Sequence, residues 1–565
     1  MVSGKVPFKS LVAPAAVYLI LLAFVTWPAV IHPAWLASPP EGDRGANVWN
    51  LWWNAHAITT GADPRWTPFF FHPVGCSLTH HSLSLTNGFL LAPLTLTLGP
   101  ASTYGVAFFL WGILTGLGGI IWSRKWLEQR VDQCVVGFFL VFSAYRFAHL
   151  DHLNLFTTAG IPWCFWAFDR LKESSRFRSG LVCALLWILT TFSCWYYGMV
   201  AGIYGLCCFL SSLRREKTAL ERVAESLPFI VVGGAVWAYL HVPISGPVAT
   251  PDTIPTATIV YWSLSMDALL RPLWLYLGGV EPEFHLHPGI MFLLMSVVQV
   301  SRGLRNKEER TPFLLWVAAV FALLSLGPFV KFGSKAIPVF LPAYLFQLLP
   351  GFSHVKVYAR FLYPSLICLA PVAVRGMRWV IERIAAENPA VPHTLVHRIG
   401  LTVVALFFWL EQGLPPFGPW PVSETGAWKP DPGIIETVQQ ANGSVLELPF
   451  VPSSLVGMHL ARQTQHDKPL VMGEVSRLQG YRQSFLQKFP SLSMLTMMVT
   501  DSGVWSDEAT LAAAEAFGRD QKELGIGVII VTERYCASDA RRRLSLFVEK
   551  LDKKELPLLL YDTMK

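Results

Sequence analysis

Charged residues are scarce in this chain of 565 residues: Asp, Glu, Lys and Arg make up 15% of it, and hydrophobic residues make up 53%. Soluble globular proteins carry about 25% charged residues. The charges that are present leave uncharged stretches of about 17 to 25 residues, each long enough for a helix to cross a bilayer. The composition excludes disordered, collagen-like, coiled-coil and disulfide-stapled secreted proteins. We therefore predict a mainly α-helical, polytopic membrane protein.

Several sequence motifs are also absent. The nine Cys residues include no C-x-x-C pair, and most lie inside apolar runs, so we interpret them as small buried apolar residues. The C-terminal tail contains no Walker loop, no G-x-G-x-x-G and no G-x-S-x-G, and therefore shows no chemistry of its own. The net charge of +7 is compatible with nucleic-acid binding, but the Lys and Arg residues fall mostly between hydrophobic spans. They indicate membrane orientation, and we predict no nucleic-acid partner.

The Lys and Arg residues form clusters between the hydrophobic spans. If all of these clusters lie in the cytoplasm, the chain satisfies the positive-inside rule with about eleven transmembrane helices. We predict a transmembrane domain over residues 1–413, with a large first outer loop over 32–101, and a small extracytoplasmic α/β domain over 414–565. The predicted location is the inner membrane of a bacterium. The predicted spans are roughly 11–31, 102–123, 131–147, 155–169, 179–194, 196–213, 226–244, 288–302, 311–329, 358–378 and 399–413.

The tail after residue 414 differs from the rest of the chain because its charges are distributed throughout. Residues Ser444 to Pro449 and Ile526 to Thr532 are typical of strands, and the second segment is rich in β-branched residues. The segments Asp507 to Phe517 and Asp539 to Leu551 are typical of helices. A small α/β fold follows from this alternation.

The first outer loop begins with two carboxylates, Glu41 and Asp43, on either side of Gly42. They precede an aromatic amphipathic stretch with Trp49 and Trp52, which we interpret as a segment in the membrane interface. A carboxylate that is partly desolvated near a bilayer tends to have a raised pKa and can act as a general base or a metal ligand. The alternative is an ordinary solvated loop.

A second polar group follows the third predicted span, where one helix leaves the membrane and the next enters it. Ionisable residues at that depth are costly, so we interpret the group as functional. Substrate binding is the leading interpretation; a metal site and a hydrogen-bonded turn are the alternatives. The group comprises Arg146, His149, Asp151, His152 and Asn154.

A third group, Lys356 and Arg360 with Tyr358 between them, lies at the outer entrance of the tenth predicted span. Two cations at a membrane surface suit the phosphate of a lipid. The alternative is interfacial anchoring by snorkelling side chains.

These features together resemble the GT-C superfamily of integral-membrane glycosyltransferases, and in particular bacterial GT-C-like membrane proteins. The topology, with an acidic motif directly after the first span, is the stronger part of the resemblance, which covers most of the chain. The motifs that resemble the family are Gly42-Asp43, Asn47-Val48-Trp49, Trp52-Trp53, Phe71-His72-Pro73-Val74-Gly75, His149-Leu150-Asp151-His152-Leu153-Asn154-Leu155, Val357-Tyr358-Ala359-Arg360-Phe361, Val445-Leu446-Glu447-Leu448-Pro449 and Leu524-Gly525-Ile526.

The resemblance implies a hexosyl- or pentosyltransferase that uses a polyprenyl-phosphate-linked sugar donor at the extracytoplasmic face. The acceptor would be a glycan, a lipid or a protein. Asp43 maps onto the expected catalytic base or metal ligand, with Glu41 as a companion and Asp151 as a second acidic residue. A divalent cation, Mg²⁺ or Mn²⁺, is a candidate cofactor whose ligands the sequence does not identify. The resemblance gives Lys356 and Arg360 as phosphate ligands, and aromatic residues including Trp49 and Trp52 as the lining of a lipid and sugar groove.

Two other functions compete with this interpretation. A non-catalytic membrane scaffold would dock protein partners through residues 414–565, which carry no visible active-site motif. A lipid or solute transporter would favour inverted repeats with broken helices in matching halves, and the sequence shows no internal repeat. Substitution of Asp43 separates a transferase from a scaffold.

Overall fold

A computed structural model describes most of the chain, and it is mainly helical. The described residues are 9–213, 215–244, 246, 251–267, 289–307, 311–348, 354–387, 392–412, 428–450, 453–475, 478–500, 505–532, 534, 536–550 and 558–561.

Twenty-four α-helices lie within these ranges. They are Lys9–Val25 (α1), Gly42–Thr60 (α2), Leu85–Leu90 (α3), Ala92–Leu98 (α4), Pro100–Ser123 (α5), Arg130–Val141 (α6), Ala144–Ala148 (α7), Leu153–Phe156 (α8), Gly160–Ser174 (α9), Phe177–Ser193 (α10), Trp195–Ser212 (α11), Ala219–His241 (α12), Thr256–Tyr261 (α13), Ile290–Arg305 (α14), Pro312–Ser325 (α15), Pro342–Phe346 (α16), Leu362–Glu387 (α17), His393–Glu411 (α18), Pro432–Gln440 (α19), Ser453–His466 (α20), Gln479–Lys488 (α21), Pro490–Thr500 (α22), Asp507–Leu524 (α23) and Ala540–Lys550 (α24). Short 3₁₀ helices cover Pro33–Ala37 and Tyr358–Phe361.

The described strands form three small sheets. Two are antiparallel pairs, β1 with β2 and β3 with β4. The third is parallel, in the order β5, β6, β7. The strands are Trp66–Thr67 (β1), Cys76–Ser77 (β2), Phe329–Phe332 (β3), Lys335–Phe340 (β4), Ser444–Leu448 (β5), Ile526–Thr532 (β6) and Leu558–Tyr561 (β7).

The chain divides into two compact units, each described here by itself. The first comprises Met1–Ile31, Val106–Trp237 and Thr253–Val422, and the second comprises His32–Gly105, Ala238–Asp252 and Ser423–Lys565. The sequence analysis assigned the first outer loop to the transmembrane domain, whereas the structure groups it with the tail. The predicted boundary at residues 413–414 itself lies outside the described residues.

A helix lies at each of the predicted transmembrane spans. Among the described residues, five helical segments are long and apolar enough to cross a membrane, and three more are apolar but shorter. These features indicate an integral membrane protein, and the total of about eleven spans stays a prediction. The five long segments are Pro100–Ser123, Arg130–Ala148, Ala219–His241, Tyr358–Glu387 and Thr394–Glu411; the shorter ones are Lys9–Val25, Phe177–Ser193 and Pro312–Ser325.

The second unit has a buried core built from both the first outer loop and the tail, which includes Phe70, Val445 and Phe517. The extended chain around Phe69 joins the tail through backbone hydrogen bonds: the Leu470 N–H donates to the Phe69 carbonyl over 2.9 Å, and the His72 N–H donates to the Leu470 carbonyl over 3.1 Å. The four elements predicted in the tail are all present, as β5, β6, α23 and α24.

Helix α2 belongs to this core, which corrects its interpretation as a segment in the membrane interface. Trp49 is fully buried, and its indole N–H donates to Gln463 Oε1 over 2.7 Å. Trp52 is partly buried and packs edge to face on Phe69, with ring centroids 5.1 Å apart. An aromatic stripe on a helix has the same sequence pattern whether it faces lipid or a protein core, so the pattern could not decide between the two.

Helices α2 and α20 approach each other closely at two glycines. A Cβ at Gly45 would lie 2.0 Å from the Gly457 carbonyl oxygen, and a Cβ at Gly457 would lie 2.3 Å from the Gly42 carbonyl oxygen. Backbone atoms form both contacts, so a side chain at either position requires the helices to separate. The glycine pair therefore holds the start of α2 against α20.

We expect Gly45→Ala to destabilise the protein by roughly 1–3 kcal/mol, the usual cost of overpacking a core. The measurement is the thermal midpoint of the full chain in detergent. Gly233→Ala is the matched control, because a Cβ at that α12 position meets no atom within 4 Å. Equal midpoints for Gly45→Ala and Gly233→Ala would show that the close approach is not needed.

Candidate functional site

Asp43 lies in the first turn of α2, and its side chain is exposed. The turn starts at Gly42, whose φ of 53° lies in the left-handed region that favours glycine. Arg44 stabilises the segment that precedes the helix, because its guanidinium donates to the carbonyl oxygens of Ser38 and Pro39. The positive end of the helix dipole favours a carboxylate at this position. The predicted companion Glu41 directly precedes the helix and is partly buried.

Two further titratable groups in the same unit interact with Asp43. His81 is buried, and its Nε2 lies 3.0 Å from Asn50 Oδ1; burial lowers its pKa to about 4, while the charge of Asp43 acts in the opposite direction. Burial raises the pKa of Glu474, against the charge of Arg482, and the charge of Asp43 raises it further. Asp43, His81 and Glu474 thus form one electrostatic group, called the Asp43 site below.

The sequence analysis did not identify His81 or Glu474 as part of this site. Glu474 stands in the segment Leu470 to Val475, where it is the one charged residue among mostly apolar neighbours. An isolated carboxylate in an apolar segment is a signal for a buried, functional group, but the sequence contains nothing that connects it with Asp43.

The group after the third predicted span is only partly available for binding. Arg146 is fully buried: its Nε donates to the Phe156 carbonyl over 3.2 Å, another nitrogen donates to the Phe108 carbonyl, and its guanidinium lies 4.1 Å from the Phe108 ring centroid. His149 is also buried, with Nδ1 2.7 Å from the Tyr145 carbonyl oxygen. These contacts show that part of each side chain bonds the protein backbone, and the predicted substrate-binding roles of both residues stay predictions.

The other three members of that group, Asp151, His152 and Asn154, are partly buried in the first unit. Their roles stay predictions: Asp151 as a second catalytic acid, and His152 and Asn154 as substrate-binding residues.

Lys356 and Arg360 lie around one tyrosine in the first unit. The Arg360 guanidinium is 4.7 Å from the centroid of the Tyr196 ring, and the Lys356 Nζ is 5.2 Å from that of Trp262. The backbone N–H of Lys356 donates to the Tyr196 hydroxyl over 3.1 Å, and the Val357 N–H donates to it over 2.9 Å. We call Lys356, Arg360, Tyr196 and Trp262 the cationic cluster.

Tyr358, predicted between these two cations as a substrate-binding residue, is fully buried. Its hydroxyl donates to the Ala343 carbonyl over 3.5 Å. Its predicted role in substrate binding stays a prediction.

The divalent cation, Mg²⁺ or Mn²⁺, stays a predicted cofactor without identified ligands. Among the residues that the structure describes, no three His, Cys, Asp or Glu side chains come together in a way that could hold a metal ion. Divalent cations such as Mg²⁺ normally take several oxygen ligands.

No protein-family model matches the chain, and no curated protein sequence is similar to it. Three solved structures of an oligosaccharyltransferase from Archaeoglobus fulgidus are similar to it. The apo form has a TM-score of 0.46 and 10% identity, and the form tethered to an acceptor peptide with the NVT sequon has a TM-score of 0.46 and 9% identity; each match covers 92% of this chain and 68% of that chain. The complex of AglB with an inhibitory peptide and a dolichol-phosphate has a TM-score of 0.44 and 10% identity, and covers 92% of this chain and 69% of that chain. With TM-scores below 0.5, the function has to be argued from the residues themselves.

Proposed function

We propose that the protein is a GT-C-like membrane glycosyltransferase. It would move a sugar from a polyprenyl-phosphate-linked donor to a glycan, lipid or protein acceptor at the extracytoplasmic face of a bacterial inner membrane, with the tail on that side. The observation that supports this most is the exposed carboxylate of Asp43 at the start of α2, with Glu474 and His81 beside it.

The chemistry assigned to the Asp43 site is general base catalysis. The acceptor hydroxyl attacks the anomeric carbon, the bond from that carbon to the donor phosphate breaks, and the hydroxyl proton moves to the Asp43 carboxylate. The phosphate leaves with the electrons of the broken bond. Burial and the charge of Asp43 raise the pKa of Glu474, so this carboxyl group holds its proton more readily than an ordinary glutamate does.

The cationic cluster is proposed as the phosphate-binding part of the protein. Arginine and lysine form charge-assisted hydrogen bonds with phosphate oxygens, and here both cations are positioned by aromatic rings. A transfer assay tests the proposal as a whole: membranes with a labelled polyprenyl-phosphate sugar should form labelled product with the wild type and far less with Asp43→Asn.

We expect Arg360→Gln to raise the KM for the lipid-linked donor by about 10- to 100-fold, because a hydrogen bond to a charged group contributes roughly 1.5–3 kcal/mol. Steady-state transfer rates over a range of donor concentrations give the KM. Arg383→Gln is the matched control, since that arginine is well exposed on α17 and pairs with Glu387 in the same helix. An unchanged donor KM in Arg360→Gln would show that the cationic cluster does not bind the donor phosphate.

A further inference from the structure

The second unit contains a small pocket, lined by apolar side chains and a few polar groups, that the proposed chemistry does not use. It lies beside β5 and α20 and has room for a group about the size of one water molecule. Carboxyl, imidazole and guanidinium groups line it together with apolar side chains. The residues that matter here are Glu447, Phe450, Val456, His459, Met472 and Arg482.

Two buried polar atoms of this pocket have unused hydrogen-bonding capacity. Glu447 is 4% exposed and His459 is 3% exposed. Within the part of the chain that the structure describes, Glu447 Oε1 and His459 Nε2 make no hydrogen bond. A buried polar atom without a partner costs roughly 1–3 kcal/mol, so such atoms are rarely left unsatisfied in folded proteins. A water molecule, or a ligand hydroxyl that takes its place, would recover that energy by bonding both atoms.

The geometry of the two groups is fixed by their surroundings. Glu447 Oε2 accepts a hydrogen bond from Arg462 and lies 3.5 Å from His459 Nε2. His459 and Arg462 are three residues apart on α20 and therefore share one helix face. The side chains around the pocket are thus preorganised for a ligand.

The two polar atoms without a partner favour a ligand that can both donate and accept a hydrogen bond. Burial raises the pKa of Glu447 to about 7, although Arg462 opposes this shift, and burial lowers the pKa of His459 well below its usual value, with Arg462 adding to that effect. A phosphate group is larger than this space of about one water molecule, and an alkyl or aromatic group would leave both polar atoms unsatisfied. A hydroxyl group can donate to one atom and accept from another, so it fits this lining.

The pocket adjoins the Asp43 site within the second unit. Met472 lines the pocket, and Glu474 follows two residues later. Arg482, on the other side of the pocket, has Nη1 3.8 Å from Glu474 Oε2 and donates to the Phe450 carbonyl over 2.8 Å. Glu474 in turn interacts electrostatically with Asp43, and Val456, which lines the pocket, precedes Gly457, where α20 contacts the Gly42 backbone next to Asp43.

We propose that this pocket binds one hydroxyl group of the carbohydrate acceptor and so orients a neighbouring hydroxyl toward Asp43. The inference rests on the proposed function and extends it by naming the acceptor class and the residues that bind it. Glu447 and His459 are the binding residues, and Arg462 is a positioning residue.

Saturation-transfer NMR on the full chain in detergent tests this binding directly. The probes are the methyl glycosides of glucose, galactose, mannose and N-acetylglucosamine, without any donor. We expect the wild type to transfer saturation to at least one glycoside, and Val456→Leu, which fills the pocket with one more methylene, to lower its affinity about ten-fold, because the ligand loses its hydrogen bonds. Val548→Leu on α24 is the matched control and should bind like the wild type.

A second variant keeps the test decisive if Val456→Leu does not fold: Arg482→Gln, at the partly exposed rim, should also weaken binding. Glycoside signals that are the same in the wild type and the pocket variants would overturn the inference.

Asp43→Asn should keep full binding and lose transfer, which separates the two proposals. If Val456→Leu transfers sugar with an unchanged acceptor KM, the pocket inference fails while the proposed function stands. If glycoside binding depends on the pocket but the wild type transfers no sugar, the proposed function fails and the pocket remains a carbohydrate site.

Discussion

Replacing Asp43 by asparagine is expected to lower sugar transfer by about 10²- to 10⁴-fold, the range that a general base contributes. The amide keeps the size of the side chain and its place in the first turn of α2, but it cannot take the proton of the acceptor hydroxyl. The loss should therefore appear in kcat, whereas the KM for the donor should change little, since the phosphate is bound elsewhere. The measurement is the initial rate of labelled sugar transfer in membranes at matched expression.

The control for this experiment is Glu436→Gln, which makes the same chemical change at an exposed carboxylate on α19. It should transfer sugar like the wild type, and both variants should melt at the wild-type temperature. Equal background incorporation by the wild type and Asp43→Asn would favour the non-catalytic scaffold, in which the tail docks partners and Asp43 is dispensable. Equal incorporation above background would show a transferase that uses another base.

The positions of the helices could be predicted because hydrophobic length and charge placement act locally along the chain. The surroundings of those helices could not be predicted in the same way. The tryptophans of α2 form an amphipathic stripe, and such a stripe is compatible with a membrane surface and with a protein core. The structure shows a core, because segments far along the chain, around Gly457 and Gln463, pack on α2.

In the candidate site, too, the sequence suggests the residues that depend on neighbouring segments and misses those that come together from distant parts of the chain. The sequence suggests Asp43 because it follows an apolar span, and Lys356 and Arg360 because they precede one; their roles stay predictions. Glu474 is far from Asp43 in sequence, and no spacing rule connects them. Arg146 and His149 were interpreted as binding residues because charge near a membrane is costly. Hydrogen bonds to backbone carbonyl oxygens also offset part of that cost, and the structure shows such contacts for both side chains.

Removing the charge of Arg462 is expected to destabilise the second unit by about 3–5 kcal/mol near pH 8. Arg462 is fully buried and donates to Glu447, which is itself buried on β5. Loss of one partner from a buried ion pair leaves the other charge without compensation, and this is more costly than loss of the pair. Neighbouring His459 and His466 cannot replace the charge, because burial lowers both pKa values, that of His466 to about 3. Arg462→Met tests this through the thermal midpoint of the full chain in detergent.

The pH dependence of that midpoint identifies the group responsible. Burial raises the pKa of Glu447 from 4.5 to about 7, so the folded state binds its proton more tightly than the unfolded state. Its contribution to stability is complete below pH 4.5 and is lost as the pH rises to about 7, by about 3 kcal/mol. The buried histidines act in the opposite direction below pH 6.5, so the wild type must be compared with Glu447→Gln, which retains them.

Without Arg462 the carboxyl group of Glu447 keeps its proton to higher pH. The loss of stability caused by Arg462→Met should therefore be smaller at pH 5 than at pH 8. A defect of the same size at both values would mean that Arg462 stabilises the unit by packing, and that Glu447 is never an uncompensated charge.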